Sequence, residues 1–250
     1  MNVLILASGG SEAYSKAGYS FPKNLIEIHN KPLLQLVLEN LHPLRGLGAR
    51  FYIVLLREEC QKFHTDKMVK LLDPEACVIL SSSNTSGAAC AALLAAGCID
   101  NNEPLLIANG DQLVHQDIAV MVGHFLAMEW DGGLPVFEDV HPRYSYLKLG
   151  EDNLVVEAAE KRPISRHASA GRYFYRKGST FVRCAKKMIV KDAQVEGAFY
   201  VCPVYNELVL EGLKIGVTAI QRDQYTNFAS PAGLQDYLNN KRPNYEKKMS

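Results

Sequence analysis

The N-terminal segment constrains the fold most, because it joins a short apolar run to a loop that carries two glycines. Residues 3–6 form an unbroken apolar run, which is typical of a strand buried on both faces of a parallel sheet. In the loop that follows, glycine lets backbone N–H groups approach a ligand closely, and successive N–H groups form a concavity for phosphate oxygens. We predict that this loop binds nucleotide phosphates, against the alternative that a strand ending in two glycines is only a turn. The predicted nucleotide-binding residues of the loop are Ala7, Ser8, Gly9, Gly10 and Ser11.

A lysine and an amphipathic helix follow the loop. Lys23, which comes directly after Pro22, can add a point charge to bound phosphates. From Pro32 onward apolar residues recur at helical spacing, and proline is favoured in the first turn of a helix. The apolar face comprises Leu33, Leu34, Val37, Leu38 and Leu41. The segment therefore predicts a strand, a glycine loop, a lysine and a helix, in that order.

Apolar runs and helical patterns alternate along the rest of the first half. The pattern predicts strands at residues 50–56, 77–80 and 104–108, and helices at residues 58–72, 88–97 and 117–128. This alternation is typical of an α/β fold with a doubly wound, mostly parallel, Rossmann-like sheet and helices on both faces. In such sheets ligands bind beyond the carboxyl ends of the strands, which is where the glycine loop lies.

The second half of the chain mixes strands and helices less regularly. We predict strands at residues 132–137, 171–175 and 215–220, helices at residues 179–191, 199–210 and 234–239, and a small β-hairpin subdomain within residues 141–158. Residues 241–250 form a charged tail, which we expect to be frayed.

The composition is that of an ordinary globular protein. Lys plus Arg and Asp plus Glu both number 27, so the net charge is zero, which argues against a general nucleic-acid binder. No apolar stretch approaches the roughly 20 residues of a membrane helix, and the N-terminal run is too short for a signal peptide. The six cysteines lack metal-ligand spacing, so we expect buried thiols in a reducing cytoplasm.

Asp111 follows an apolar strand and a glycine. A carboxylate at this place can hold Mg²⁺, which bridges phosphate oxygens. An aspartate after a strand is also common in turns for structural reasons alone. The pattern therefore leaves both a metal ligand and a turn residue open.

These features resemble the N-terminal signature of the sugar-phosphate nucleotidyltransferases, or pyrophosphorylases. In that family a strand leads into a G-x-G-[ST]-R loop, a Pro-Lys pair and a K-P-L or K-P-M helix start. The matching residues are Gly10, Ser11, Pro22, Lys23, Lys31, Pro32 and Leu33. Ser8 and Glu12 stand in place of the first glycine and the arginine. Asp111 is similar to the aspartate of the family's N-x-D motif.

The resemblance implies a set of acceptor-binding residues. Residues 160–163, Glu-Lys-Arg-Pro, are similar to an E-K-P triplet whose lysine meets the sugar phosphate and whose glutamate accepts hydrogen bonds from hydroxyls. A Glu-Lys pair near a hairpin is otherwise usually a solvated charge pair. The resemblance also places a tyrosine and a glycine beside the sugar. The implied substrate-binding residues are Tyr144, Glu160, Lys161 and Gly171.

Two more segments resemble ligand-binding parts of the family. Residues 85–89 resemble the loop that carries the nucleotide base, with Ser82 and Gly87 as nucleotide contacts, although a helix N-cap at Thr85 or Ser86 is equally natural. Residues 223–231 resemble an aromatic-rich stretch near a second metal-binding aspartate, and Asn227 is its nearest counterpart. The implied cofactor is Mg²⁺ on Asp111 and Asn227, and the implied catalytic residues are Lys23 and Asp111.

The resemblance covers about residues 1–240 and implies an organisation for them. We expect one nucleotidyltransferase-like domain, with a nucleotide-binding half at residues 1–130 and an acceptor-binding half at residues 131–240. The implied partners are a nucleoside triphosphate and a small phosphorylated acceptor, without nucleic acid or membrane insertion, and a homo-oligomer stays open. Several segments are most similar to small capsule-locus proteins, which points to surface or capsular polysaccharide synthesis in the cytoplasm.

Three functions compete at this point. The first is a Mg²⁺-dependent nucleotidyltransferase, in which an acceptor phosphate oxygen attacks the α-phosphorus of a nucleoside triphosphate and pyrophosphate leaves. The second is a GT-A-like glycosyltransferase with a nucleotide-sugar donor. The third is a non-catalytic nucleotide or sugar-nucleotide binder, which Ser8, Glu12 and Asn227 favour. We favour the first, and it requires that Glu12 turn away from the phosphates or pair with a lysine, while Lys16 or Lys23 takes the place of the arginine.

Overall fold

The computed structural model describes residues 1–82 and 85–240. Within these residues the strands are β1 (Asn2–Ala7), β2 (Glu27–Ile28), β3 (Lys31–Pro32), β4 (Arg50–Leu56), β5 (Cys77–Ser81), β6 (Leu105–Asn109), β7 (Gln112–Val114), β8 (Gly132–Glu138), β9 (Ser145–Leu149), β10 (Val155–Glu160), β11 (His167–Ser169), β12 (Arg172–Tyr175), β13 (Ile215–Ala219) and β14 (Tyr225–Asn227). The α-helices of the same residues are α1 (Glu12–Lys16), α2 (Leu33–Leu41), α3 (Arg57–Phe63), α4 (Thr65–Leu72), α5 (Ala88–Leu93), α6 (Ala96–Ile99), α7 (Ile118–Ala127), α8 (Gly178–Val190), α9 (Tyr205–Leu210) and α10 (Pro231–Asn240). Short 3₁₀ turns cover Lys23–Leu25, His42–Leu47, Cys202–Val204 and Arg222–Gln224.

The central sheet is mixed, with the strand order β10-β9-β11-β8-β12-β6-β1-β4-β5 and with β13 paired to β8. Strands β6, β1, β4 and β5 run parallel, so their carboxyl ends share one edge. Strand β12 joins β6 in the antiparallel sense, and β9 and β10 form the predicted hairpin. The predicted fold class, a Rossmann-like sheet surrounded by helices with a small hairpin, is confirmed, and the second half adds antiparallel strands to it.

Two hydrophobic cores lie on opposite faces of the sheet, because successive side chains of a strand alternate between its faces. Val3 and Ile5 of β1 pack into the core that contains α2, whereas Leu4 packs into the core that contains α5 and α8. All three side chains are fully buried, and burying one of this kind contributes about 1.5–3 kcal/mol. The apolar run of β1 is unbroken because helices cover both of its faces.

Three predicted helices have different bounds in the structure. His64, in the left-handed conformation with φ 56°, separates α3 from α4 within the predicted helix 58–72. The predicted helix 88–97 is divided into α5 and α6. The prediction of helix from residue 199 is wrong, because Phe199 N donates to Ser86 O (2.8 Å) and Phe199 O accepts from Ala89 N (2.9 Å). These groups therefore stabilise the loop before α5 instead of a helical turn.

The sequence patterns miss elements that are too short to show a period. Helix α1 has five residues, and strands β7, β11 and β14 have three each. Strands β7 and β14 pair antiparallel, with Gln112 opposite Asn227, which brings the C-terminal part of the chain to the end of β6. The prediction of a frayed tail at residues 241–250 lies outside the described residues.

All six cysteines are free thiols. Cys60, Cys184 and Cys202 are buried as expected, but the expectation is wrong for Cys77, which is exposed at the start of β5. Strand β5 is the last strand of the sheet, so a neighbouring strand covers only one of its sides. In the part of the chain that the structure describes, no helix combines the length and apolar content needed to cross a bilayer.

Candidate active site

A cavity of about 450 Å³ opens beyond the carboxyl ends of β1 and β6. It collects residues from loops that are far apart in the sequence. The sequence-predicted residues that line it are Ala7, Ser8, Gly9, Gly10, Lys23, Gly87, Asp111, Tyr144, Glu160, Gly171 and Asn227. Three other predicted site residues, Ser11, Ser82 and Lys161, are not part of the lining.

The glycine loop is held in place by a network of buried and partly buried hydrogen bonds that converge on Glu59. The Ser11 hydroxyl accepts a hydrogen bond from Lys23 N (2.9 Å) and donates to a carboxylate oxygen of Glu59 (2.9 Å). The Asn24 amide donates to Ala7 O (2.8 Å) and to the other carboxylate oxygen of Glu59 (3.1 Å). Ser11 therefore points into the protein, and the loop presents Gly9 and Gly10 to the cavity.

Lys23 and Asp111, which both line the cavity, form an ion pair. The Lys23 Nζ lies 2.7 Å from Asp111 Oδ2, and the two side chains are only 10% and 17% exposed. The same Nζ lies 3.5 Å from the position that a Cβ on Gly9 would take. Gly110 N donates to Leu6 O (2.8 Å), and a Cβ on Gly110 would stand 2.7 Å from that oxygen. A glycine before Asp111 therefore allows the close approach of the two strand ends.

Glu12 lies outside the cavity lining and is exposed. Its carboxylate folds back over Gly10, where an added Cβ would come within 2.0 Å of Oε2. Lys16 is exposed at the end of α1 and does not reach the cavity, whereas Lys23 does. Of the two lysines considered as substitutes for the motif arginine, the structure places only Lys23 at the glycine loop.

Asp111 and Asn227 come together through the pairing of β7 with β14. Phe228 N donates to Asp111 O (2.8 Å), and the Asn227 Oδ1 accepts from Ala229 N (2.7 Å). Within the described residues no group of three or more His, Cys, Asp or Glu side chains converges. A carboxylate and an amide oxygen that line one cavity are ligands of the kind that Mg²⁺ takes, and this ion commonly keeps water and substrate oxygens as its other ligands.

The segment before α5 presents its backbone to the cavity. Gly87 has φ 109°, and a Cβ there would lie 2.3 Å from Phe199 O. Gly87 is the N-cap of α5, so the alternative of a cap at Thr85 or Ser86 is wrong. The Thr85 hydroxyl instead donates to Gly87 O (3.0 Å). Thr85 and Gly87 line the cavity, whereas Ser82 lies outside it.

The cavity lining also includes Glu160, at the end of β10. Its carboxylate accepts a hydrogen bond from the Ser145 hydroxyl, and burial raises its pKa. Tyr144, also buried, accepts a hydrogen bond from the Arg222 guanidinium at its hydroxyl (3.1 Å). These hydrogen bonds hold a carboxylate and two hydroxyl-bearing side chains along one wall, where they can contact a polyhydroxylated molecule.

Lys161 takes a different direction from its neighbour Glu160. Its backbone is in the left-handed region with φ 55°, and its ammonium forms an ion pair with Glu196 and lies 5.4 Å from the ring centre of Tyr200. The hydrogen bond to Glu196 raises the pKa of Lys161 to about 12. Lys161 is therefore protonated, and its charge is paired with the carboxylate of Glu196 at the edge of the cavity.

Sequence reasoning missed several residues of the cavity wall and its support. Asn24, Arg143, Ser145 and Tyr200 line it, and Arg143 lies 4.8 Å from the Tyr144 ring centre. Arg172 is fully buried, and its guanidinium donates to Gln112 O (2.6 Å), Gly171 O (3.2 Å), Asn109 O (3.3 Å) and Asn40 Oδ1 (3.3 Å). Burial lowers its pKa to about 10. The sequence signal that could have found this support is a lone arginine within an aromatic strand.

Solved structures with the same fold include several sugar-nucleotide enzymes. A nucleoside-diphosphate-sugar pyrophosphorylase from Vibrio cholerae RC9 aligns with a TM-score of 0.80 at 23% identity over 96% of this chain and 100% of that one. An inositol-1-phosphate CTP transferase from T. maritima aligns with a TM-score of 0.72 at 18% identity, over 93% and 90% of the two chains. A UDP-glucose pyrophosphorylase complexed with UDP-glucose aligns with a TM-score of 0.73 at 16% identity, over 95% and 97%. At these identities the likeness shows a common fold.

Comparison with curated protein sequences gave no significant match. The sequence profile of the family described as nucleotidyl transferase matches residues 2–199, which is most of the chain and includes the glycine loop, Lys23, Asp111 and Glu160. The chain therefore belongs to the nucleotidyl transferase family.

Proposed function

We propose that the protein is a Mg²⁺-dependent nucleotidyltransferase that joins a nucleoside triphosphate to a sugar phosphate or a similar phosphomonoester, with release of pyrophosphate. The observation that carries the proposal is the composition of the cavity. The glycine loop with Lys23 and Asp111, and Glu160 with its hydroxyl neighbours, line the same cavity. The solved relatives that act on sugar nucleotides or inositol phosphate support this class of substrates.

The reaction needs positioning and charge neutralisation rather than a covalent intermediate. A phosphate oxygen of the acceptor attacks the α-phosphorus, the bond from that phosphorus to the bridging oxygen breaks, and pyrophosphate leaves with the electron pair. Backbone N–H groups of residues 8–10, which line the cavity, hold phosphate oxygens, and Lys23 exchanges Asp111 for the triphosphate. Glu160 accepts hydrogen bonds from acceptor hydroxyls, which fixes the attacking phosphate in line.

Asp111 and Asn227 are the residues that would hold Mg²⁺. When bound, the ion neutralises phosphate charge and orients the triphosphate. Lys23, which pairs with Asp111 in the ligand-free protein, would then be free to contact the triphosphate. On the acceptor side, Glu196 pairs with Lys161 as Asp111 pairs with Lys23. The phosphate of the acceptor can take the place of the Glu196 carboxylate in this ion pair.

We further propose a cytoplasmic enzyme that supplies precursors for surface or capsular polysaccharide, on the similarity of several segments to capsule-locus proteins. The division into a nucleotide-binding half at residues 1–130 and an acceptor-binding half at residues 131–240 belongs to the same proposal. It is supported by Lys23 from the first half and Glu160 from the second half lining the same cavity.

The test is pyrophosphate release from a panel of nucleoside triphosphates combined with sugar phosphates and other phosphomonoesters, with Mg²⁺. We expect release to depend on both substrates and to be lost in Asp111→Asn. Release of a nucleoside diphosphate from a nucleotide sugar, without pyrophosphate, would show a glycosyltransferase instead. Triphosphate binding by calorimetry without turnover on any pair would show a non-catalytic binder.

A further inference from the structure

We propose that Glu59, a residue outside the cavity lining, positions the triphosphate-binding wall of the site. The inference rests on the proposed function, because it concerns how that site is held for a triphosphate. Glu59 lies in α3, directly after β4. It acts through Ser11 and Asn24, which makes it a positioning residue and not a catalytic one.

The carboxylate of Glu59 joins two separate parts of the wall. One oxygen accepts a hydrogen bond from Ser11 Oγ (2.9 Å), and Ser11 Oγ in turn accepts from Lys23 N (2.9 Å). The other oxygen accepts from Asn24 Nδ2 (3.1 Å), which also donates to Ala7 O (2.8 Å). Through these hydrogen bonds, the Glu59 side chain holds the start of the glycine loop, its end and the backbone of Lys23.

Burying the Glu59 carboxylate costs free energy unless its oxygens are hydrogen-bonded. Glu59 is 8% exposed, and burial raises its pKa. A buried carboxylate is retained where it is hydrogen-bonded or paired with charge, and Glu59 has both, since the charge of Lys23 also stabilises its anion. An apolar residue at this position would leave the Ser11 hydroxyl and the Asn24 amide without this acceptor, so the carboxylate is the group that holds the loop.

The network also explains how the glycine loop keeps its shape although Ser8 and Glu12 replace two residues of the family motif. Glu12 does not reach the cavity and contributes no positive charge there. In the part of the chain that the structure describes, the cationic residues lining the cavity are Lys23 and Arg143, and only Lys23 adjoins the glycine loop. The direction of the Lys23 side chain therefore depends on a backbone that Glu59 fixes through Ser11.

The role predicts a selective effect. Tyr144 and Glu160 make their side-chain hydrogen bonds within β9, β10 and the residues before β14. Among the residues that the structure describes, these bonds do not involve the Glu59 network. Loss of Glu59 should weaken triphosphate binding while acceptor binding stays the same, whereas a merely structural residue would affect both substrates or neither.

The experiment compares Glu59→Gln and Glu59→Ala with Glu58→Gln, an exposed neighbour on the same helix. Calorimetry with Mg²⁺ and each of ATP, CTP, GTP and UTP identifies the triphosphate that the wild type binds most tightly. For that triphosphate, both Glu59 variants should show affinity at least about tenfold weaker, which corresponds to about 1.4 kcal/mol. Glu58→Gln should bind like the wild type. Kinetics should show a raised triphosphate KM and an acceptor KM within about twofold of the wild type. Ser11→Ala combined with Glu59→Gln should be clearly less than additive.

The results distinguish a positioning role of Glu59 from a role in stability alone, and both from a failure of the proposed function. Wild-type affinity in Glu59→Gln, or an equal rise in both KM values, would overturn the positioning role while leaving the proposed function in place. A wild-type protein that binds no triphosphate would overturn the proposed function itself. If Glu59→Ala does not fold, Glu59→Gln, which keeps the size and one acceptor oxygen, carries the test; failure of both to fold would assign Glu59 to stability alone.

Discussion

Replacing Lys23 by alanine tests the assignment of the cavity most directly. The substitution removes the ammonium that lies 2.7 Å from Asp111 Oδ2 in the ligand-free protein. It leaves the glycine loop in place, because the Lys23 backbone N–H, and not its side chain, is bonded to Ser11. The change therefore removes one charge from the wall that would face the triphosphate.

The substitution should lower both kcat/KM and the free energy of unfolding. A hydrogen bond to a charged group contributes about 1.5–3 kcal/mol, so kcat/KM should fall by about tenfold to 150-fold. In the free protein Asp111 loses its partner, but it faces an open cavity where water can solvate it. The free energy of unfolding should then fall by about 3 kcal/mol or less, which lowers Tm by at most about 6–12 °C.

The assay is steady-state pyrophosphate release with each substrate varied, at a temperature well below the Tm of both proteins. Lys67→Ala, a change of an exposed lysine on α4, is the matched control and should behave like the wild type. We expect the Lys23→Ala loss to be concentrated in the triphosphate kinetics. Normal turnover by Lys23→Ala would refute the assignment of this wall to the triphosphate.

Three further predictions follow from neighbouring residues. Glu12→Arg should leave kcat/KM unchanged or raise it, because the Glu12 side chain lies outside the cavity lining; a tenfold loss would contradict this reading. Lys161→Ala should raise the KM of the acceptor more than that of the triphosphate, and an effect confined to the triphosphate would place Lys161 in the other half of the site. Gly87→Ala should lower the free energy of unfolding by about 2 kcal/mol or more, since the Cβ meets Phe199 O at 2.3 Å in a left-handed backbone. Gly97→Ala, with open space around its Cβ, is the thermal-denaturation control, and equal Tm changes for the two would contradict the argument.

Local patterns in the sequence determined the framework of the protein. The apolar run of β1 and the apolar stripe of α2 predict their elements correctly, because burial and periodicity act over a few neighbouring residues. The hairpin of β9 and β10 was predicted for the same reason. The family resemblance added the residues that motifs spell out, from the glycine loop to Asp111, and the family is confirmed by the profile match.

Only the tertiary structure decided how these residues meet. Ser11 points to Glu59, a residue 48 positions away, and the ammonium of Lys23 meets Asp111 at a separation of 88 positions. Lys161 forms its ion pair with Glu196, which lies 35 positions further along the chain. No local pattern encodes such pairs, because each depends on which loops the parallel strands bring to one edge. The loop residues are fixed by partners supplied from distant parts of the chain, and the buried carboxylate of Glu59 is stable only because those partners are already in place.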